Sequence, residues 1–152
     1  NALGIIVDVS HASEQTFWDT VETSRAPIIA SHSNAAAVCK HRRNLTDAQF
    51  TALCDMGGVA GINYYPEFVD KSGRAAVSSL VRHIEHFMAL GGENHIGLGG
   101  DFDGISSTPA DLCGVQDVYK LLDALLTRNY TEEQVKKIAG GNFLRLIGEV
   151  LK

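Results

Sequence analysis

Short apolar runs rich in β-branched residues alternate along this chain with longer segments of helical periodicity. Because such runs are apolar on both faces, they are typical of buried parallel strands. Four strands are predicted, over Gly4–Val9, Pro27–Ala30, Val59–Asn63 and His95–Leu98. Helices are predicted over Ser13–Thr23, Thr46–Met56, Ala75–Leu90, Val115–Arg128 and Thr131–Lys152. A strand followed regularly by a helix indicates a parallel sheet with helical crossovers, which places the chain in the α/β class.

Two architectures fit this order of elements: a doubly wound open sheet, or half of a (β/α)8 barrel. The 152 residues contain four strand–helix units, and a complete barrel has eight units in about 250 residues. Ser13 is a predicted N-cap, and the capping boxes Thr46-x-x-Gln49 and Thr131-x-x-Gln134 predict two further helix starts. No repeat or linker divides the chain, so residues 1–152 are treated as one structural unit.

The composition excludes several classes of protein. Hydrophobic residues make up 45% of the chain and charged residues 20%, which is typical of a globular domain. The net charge of −5 and the absence of a Lys/Arg run argue against a nucleic-acid partner. Cys39, Cys54 and Cys113 have no C-x-x-C spacing, so neither a disulfide framework nor a thiolate metal site is predicted. With no secretory signal and an odd number of cysteines, a cytoplasmic location is favoured.

Polar residues follow the predicted strands at the edge where α/β folds bind ligands. His11 follows the first strand, His32 follows the second, and Asp101 follows the fourth in a Gly-rich turn. Histidines at the ends of neighbouring strands can face one divalent metal ion, with a carboxylate or water completing its coordination. The alternative is that both are structural histidines held by hydrogen bonds.

Two further side chains are candidates for a catalytic site. Arg43 belongs to a short basic cluster, and its guanidinium could bind a substrate carboxylate with two parallel hydrogen bonds or simply lie in solvent. Asp101 could take a proton from a metal-bound water, or serve only the turn in which it stands. A solvated surface position is predicted for three other histidines: His41, His83 and His86.

The chain resembles the renal (membrane) dipeptidase family of zinc peptidases over nearly its whole length. The resemblance rests on four blocks in the same order and at similar spacing: Ile6–Ser13, Ser24–Ser33, Arg42–Asn44 and Gly99–Gly104. It implies a (β/α)8 barrel in which two zinc ions, bridged by a carboxylate and a water or hydroxide, hydrolyse dipeptides.

The same resemblance implies roles for four residues of this chain. His11 and His32 match the two histidines that hold the second zinc ion of the family. Asp101 matches the acid at the end of the eighth strand, close to the metal-bound water. Arg43 matches the arginine that receives the terminal carboxylate of the substrate.

The chain also departs from the family pattern. The family's H-x-D pair, its bridging glutamate and a further histidine near the substrate have no counterpart here. The resemblance therefore implies strands five to eight only, the C-terminal half of the barrel, with residues 1–152 forming a partial domain that lacks its N-terminal half. At most one zinc site is supported by the residues present.

Three functions are consistent with these observations. The first is a zinc-dependent dipeptidase that acts on a dipeptide substrate through a metal-activated water. The second is a catalytically incompetent half-barrel that retains a residual two-histidine metal site. The third, a phosphate-binding module that uses the Gly-rich turn, is disfavoured because the G-K-[ST] of a phosphate-binding loop is missing.

A half-barrel makes a testable prediction about the solution state. Strands five to eight alone would leave two open sheet edges and would expose apolar inward faces. We therefore expect the isolated 152-residue chain to self-associate, as a homo-oligomer, unless a second chain or a missing N-terminal half completes the barrel. Light scattering measures this directly. A monodisperse monomer that unfolds cooperatively would instead favour the open, doubly wound sheet.

Overall fold

A small parallel sheet lies at the centre of the computed structural model, which describes residues 1–151. Its strands are β1 (Ile29–Ala30), β2 (Val59–Asn63) and β3 (Ile96–Gly100), and they lie in the order β1-β2-β3. Both neighbouring pairs are parallel. The prediction of an α/β fold with a parallel sheet is therefore confirmed.

Helices connect and cover the strands. The α-helices within residues 1–151 are α1 (Glu14–Thr23), α2 (Asp47–Asp55), α3 (Pro66–Val69), α4 (Val77–Ala89), α5 (Val118–Thr127), α6 (Glu132–Lys136) and α7 (Asn142–Val150). None of the helices in this part of the chain is long and apolar enough to cross a membrane. The order of strands and helices agrees with the sequence prediction, apart from the differences described below.

The predicted helix starts are confirmed by their capping hydrogen bonds. The Ser13 hydroxyl accepts a bond from a backbone N–H in the first turn of α1. Thr46 with Gln49, and Thr131 with Gln134, form complete capping boxes before α2 and α6. Each cap satisfies backbone donors that have no partner within the helix, and so fixes where the helix begins.

The first predicted strand, Gly4–Val9, is not formed as a strand. Only Asp8 makes a parallel bridge, to Ile29, flanked by backbone hydrogen bonds of 2.8 and 2.9 Å. We call residues 7–9 the bridged segment. Pairing stops there because β1 has only two residues and because Gly4, at φ 66°, turns the chain just before the bridge.

The helical prediction differs at two places. The segment Thr131–Lys152 is not one helix, because a π-helical turn at Lys137–Gly141, with Gly140 at ψ −19° and φ 173°, separates α6 from α7. Lys152 lies outside the described residues. The short α3 lies outside the predicted helices, and it begins with Pro66, whose fixed φ suits the first helical position.

The hydrophobic core packs mainly around β2, which is buried at all five of its positions. The apolar stripe of α4 faces this strand, with Leu80, Ile84 and Phe87 fully buried. Phe50 of α2 stacks on Phe87 with ring centroids 3.9 Å apart. Burying each such side chain contributes about 1.5–3 kcal/mol, so this contact region anchors the sheet.

Two glycines allow the backbone beyond β1 to lie against the other strands. A Cβ placed on Gly61 would lie 2.2 Å from the Ser31 carbonyl oxygen, and one on Gly99 would lie 2.4 Å from the same atom. A Cβ on Gly99 would also approach His32 Cα at 2.9 Å. The close approach therefore requires residues without a side chain, and it fixes His32 beside the end of β3.

This contact predicts that Gly61→Ala destabilises the protein. Forcing a methyl group against the Ser31 carbonyl should lower the free energy of unfolding by about 1–3 kcal/mol. Gly148→Ala is the matched control, because a Cβ there meets nothing within 4 Å and should raise helix stability by about 0.5–1 kcal/mol. Urea unfolding measures both values. Equal stability of Gly61→Ala and the unsubstituted protein would contradict the prediction.

Candidate functional site

Two histidine rings meet at the carboxyl edge of the sheet. His11 Nε2 lies 3.0 Å from His32 Nε2, and the ring centroids are 5.0 Å apart. His11 follows the bridged segment and His32 follows β1, so neighbouring parallel segments bring the rings together. The geometry suits two imidazole nitrogens that share a ligand. Their role as metal ligands stays a prediction.

Hydrogen bonds surround the His32 ring on the side away from His11. Asp8 Oδ1 accepts from the backbone N–H groups of Ser10 and Ser31, each at 3.0 Å. The Ser31 hydroxyl lies 2.5 Å from Asp8 Oδ2 and 2.8 Å from His32 Nδ1. Partial burial acts to raise the pKa of Asp8, but these bonds outweigh it and hold the pKa below its ordinary value. The carboxylate is therefore ionised at neutral pH.

The environment of His32 favours its neutral form. Burial lowers the pKa of His32 most strongly, and the positive charge of Arg43 lowers it further. The carboxylates of Asp101 and Asp8 oppose this shift without reversing it. A neutral imidazole is the form that binds a metal ion, so the ring is suited to coordination near neutral pH.

Arg43 is fixed beside the histidine pair. Its Nε donates to the Ser10 carbonyl at 3.1 Å, and its guanidinium carbon lies 5.4 Å from the centroid of the Phe68 ring. Its Nη2 is buried and has no hydrogen-bond partner among residues 1–151. A buried donor without a partner costs free energy. Arg43 also lines the same cavity as His11, so another part of its side chain borders open space.

Asp101 stands in a strained turn after β3. Its φ is 74°, in the left-handed region, and Gly100 before it has φ 62°. Asn63, at the end of β2, donates from Nδ2 to Asp101 Oδ2 at 3.1 Å. Burial lowers the pKa of both His32 and Arg43, and the negative charge of Asp101 acts against this effect at both residues.

The candidate residues do not all share one cavity. A cavity of about 1150 Å³ is lined by His11 and Arg43 together with Ser33 and Lys40. Asp101 lines a separate pocket of about 200 Å³. The structure therefore places His11 and Arg43 in the same open space, and Asp101 in a different pocket.

The described residues provide only part of a metal site. Within residues 1–151 no group of three or more His, Cys, Asp or Glu side chains is close enough to hold a metal ion. Zinc takes three protein ligands in catalytic sites and four in structural ones. A zinc ion at His11 and His32 would therefore need further ligands from outside these residues.

Buried amides tie the loop that carries Arg43 to the end of β2. Asn34 Nδ2 donates to the Asn63 carbonyl, and Asn63 N–H donates to Asn34 Oδ1, both at 3.0 Å. Asn44 Nδ2 donates to the Phe68 carbonyl at 2.7 Å. The sequence gives little signal for these ties, since Asn in a loop is as often solvated as bonded. These hydrogen bonds fix the position of Arg43 relative to Asp101.

The surface position predicted for His83 is wrong. The residue is fully buried, its Nδ1 accepts from Ala35 N–H at 3.1 Å, and its Nε2 donates to the Val69 carbonyl at 2.9 Å. The spacing from Leu80 to His83 and Phe87 is i, i+3, i+7, which places the histidine on the apolar stripe of α4. That periodicity is the signal that could have identified it.

The chain belongs to the membrane dipeptidase family, peptidase family M19, whose family model matches residues 1–152. It is 40% identical over 154 residues to an uncharacterized protein of Klebsiella pneumoniae from the pqqA 5′ region, covering 99% of this chain and 56% of that protein. It is 39% identical over 149 residues to an uncharacterized dipeptidase of Schizosaccharomyces pombe, covering 96% of this chain and 36% of that protein. The chain thus spans about half, or less, of the length of these curated relatives.

The fold is similar to that of a solved metallopeptidase. The crystal structure of a metallopeptidase from Rhodobacter sphaeroides, liganded with a phosphinate mimic of the dipeptide L-Ala-D-Ala, superposes with a TM-score of 0.93. The sequences are 33% identical, and the match covers 98% of this chain and 43% of that one. The fold that carries the histidine pair and Arg43 is therefore also found in a solved metallopeptidase.

Burial of His83 predicts a specific pH dependence of stability. Burial lowers its pKa from 6.5 to about 4. Between these values the unfolded chain binds a proton that the folded chain does not, so stability is lost as the pH falls from about 6.5 to 4. The loss from this group should approach about 3 kcal/mol.

His83→Gln keeps an acceptor and a donor without a titrating group, and should remove this contribution. Urea unfolding at pH 7, 5.5 and 4.5 compares the two proteins, and the difference between the curves isolates His83 from the carboxylates. Parallel curves would contradict the prediction.

Proposed function

We propose that this chain is part of a zinc-dependent dipeptidase and forms the C-terminal half of its (β/α)8 barrel. The observation that carries the proposal is the histidine pair, with two Nε2 atoms 3.0 Å apart at the carboxyl edge of the sheet and Arg43 beside them. Membership of the membrane dipeptidase family and the likeness to a metallopeptidase that binds a dipeptide mimic support it.

The order of the sheet supports a barrel over a doubly wound sheet. The bridged segment, β1, β2 and β3 lie side by side in the order in which they occur in the chain. Consecutive barrel strands have this order, whereas a doubly wound sheet reverses direction at a switch point. The remaining strands would come from a missing N-terminal half or from a second chain.

His11 and His32 would hold one zinc ion through their Nε2 atoms, with the other ligands supplied from outside residues 1–151. Neutral imidazole nitrogen is a ligand that zinc prefers, so the donor set fits. Zinc held there would supply Lewis-acid chemistry, which would lower the pKa of a water towards about 7 and polarise the scissile carbonyl. No described residue would hold the second zinc ion of the family.

Arg43 would bind the terminal carboxylate of the dipeptide. Its Nε is already bonded to the Ser10 carbonyl, which fixes the plane of the guanidinium, and Arg43 lines the cavity that a substrate would enter. The Phe68 ring supports the same group from its face. Fixing one end of the substrate orients the scissile bond towards the histidine pair.

Asp101 would carry a proton from the attacking water to the leaving amine. Asn63 holds Asp101 Oδ2 by a hydrogen bond, so we assign the proton transfer to Oδ1. The effect of its charge on the pKa of His32 supports this assignment.

A second candidate function is a catalytically inactive half-barrel that keeps a weak two-histidine metal site. The lack of a third suitable ligand within residues 1–151 favours this alternative for the chain on its own. The two candidates differ in turnover: the dipeptidase hydrolyses dipeptides and loses activity when zinc is chelated, whereas the inactive half-barrel binds zinc and hydrolyses nothing.

The proposed function predicts the effect of Arg43→Lys on dipeptide hydrolysis by the complete enzyme, in which the missing half of the barrel is present. The lysine ammonium cannot make the two parallel hydrogen bonds that the planar guanidinium makes to a carboxylate. Substrate binding should therefore weaken, so that KM rises roughly tenfold while kcat changes little. Arg42→Lys is the matched control, since Arg42 is exposed and adjacent, and its KM should stay the same. Steady-state kinetics with zinc, and after chelation, measure these values. Hydrolysis that survives chelation, or an equal KM in all three proteins, would contradict the proposal.

A further inference from the structure

We infer that Asp8 and Ser31 fix the tautomer of His32, holding its proton on Nδ1 so that the Nε2 lone pair faces His11. Neither residue was a candidate in the sequence analysis. The assignment of the tautomer stands on hydrogen bonds alone, and only its consequence for zinc rests on the proposed function. Asp8 and Ser31 are positioning residues, because they act through His32.

The direction of each hydrogen bond follows from the number of protons available. An ionised carboxylate can only accept, so the Ser31 hydroxyl donates its one proton to Asp8 Oδ2, which lies 2.5 Å away. Ser31 Oγ must then act as acceptor towards His32 Nδ1, at 2.8 Å. Nδ1 therefore carries the imidazole proton, and Nε2 keeps its lone pair.

Ser10 completes the arrangement. Its Oγ accepts from the His32 backbone N–H at 2.9 Å and lies 3.3 Å from Ser31 Oγ. Because the Ser31 proton is already directed to Asp8, the Ser10 hydroxyl proton goes either to Ser31 Oγ or to Asp8, whose pKa the Ser10 side chain also lowers. The backbone and the ring of His32 are thus both held by one connected set of bonds.

The two histidines of the pair are not equivalent. Within residues 1–151 the only hydrogen bond of the His11 ring is the one at Nε2. Without a metal ion, His11 Nε2–H donates to the His32 lone pair across 3.0 Å. A metal ion between the rings would require His11 to move its proton to Nδ1, whereas His32 already has the required tautomer.

Asp8→Asn tests the inference because it keeps the shape of the side chain. The amide oxygen should stay with the two backbone N–H groups at the Oδ1 position, which puts the NH₂ group at the Oδ2 position. This NH₂ should donate to Ser31 Oγ. The Ser31 hydroxyl should then donate its own proton to His32 Nδ1 instead of to residue 8. The His32 proton should then move to Nε2.

Two-bond ¹⁵N–¹H correlation spectra of the metal-free protein, labelled at histidine, report the tautomer. We expect Nδ1–H in the unsubstituted protein and Nε2–H in Asp8→Asn. Asp55→Asn, a matched change at an exposed residue at the end of α2, should keep Nδ1–H. Ser31→Ala, the second variant, removes the acceptor and should give a mixture. Nε2–H in the unsubstituted protein, or no change in Asp8→Asn, would overturn the inference.

Calorimetric titration with Zn²⁺ then tests the consequence for the metal site. Asp8→Asn should weaken zinc binding by about 10- to 100-fold, and Asp55→Asn should leave it unchanged. Equal affinity in all proteins would overturn the role of Asp8 in metal binding. The spectra need neither zinc nor substrate, so the expected tautomers together with a lack of dipeptide hydrolysis by the complete enzyme would contradict the proposed function alone.

Discussion

The carbonyl oxygen of Ser31 lies against two glycines of neighbouring strands, and the position of the site depends on this contact. Gly61 and Gly99 would each place a Cβ within 2.4 Å of that oxygen if they carried one. Since glycine has no Cβ, the chain beyond β1 can continue close to β2 and β3. His32 therefore meets the end of β3, where Asp101 follows, and the histidine pair and the carboxylate come within electrostatic range.

Hydrogen bonds from buried polar groups keep the surrounding loops in place. The His83 ring accepts a hydrogen bond from the backbone N–H of Ala35, and the Asn44 amide donates one to the Phe68 carbonyl. The first hydrogen bond is buried and the second is partly buried, so each satisfies polar groups that would be costly to leave unpaired. The loop that carries Arg43 is thus determined by side chains distant in sequence, and its rigidity is part of the site.

The predictable features are those set by local sequence and by the geometry of parallel strands. Histidines after neighbouring strands meet because parallel strands end at one edge, so the proximity of His11 and His32 followed from the order of elements. The bond from Ser31 to Asp8 joins residues 23 positions apart, and no local pattern encodes it. The length of a strand is equally non-local, because it depends on its neighbours, and the first predicted strand was wrong for that reason.

Under the proposed function, the left-handed conformation of Asp101 is a compromise between folding and chemistry. A residue with a side chain pays about 1–2 kcal/mol in this region, which Gly avoids. Aspartate at φ 74° therefore retains a carboxylate where glycine would fold more easily. Variants selected only for thermal stability should accumulate glycine at this position and lose the acid, so selection for robustness and selection for turnover would move this turn in opposite directions.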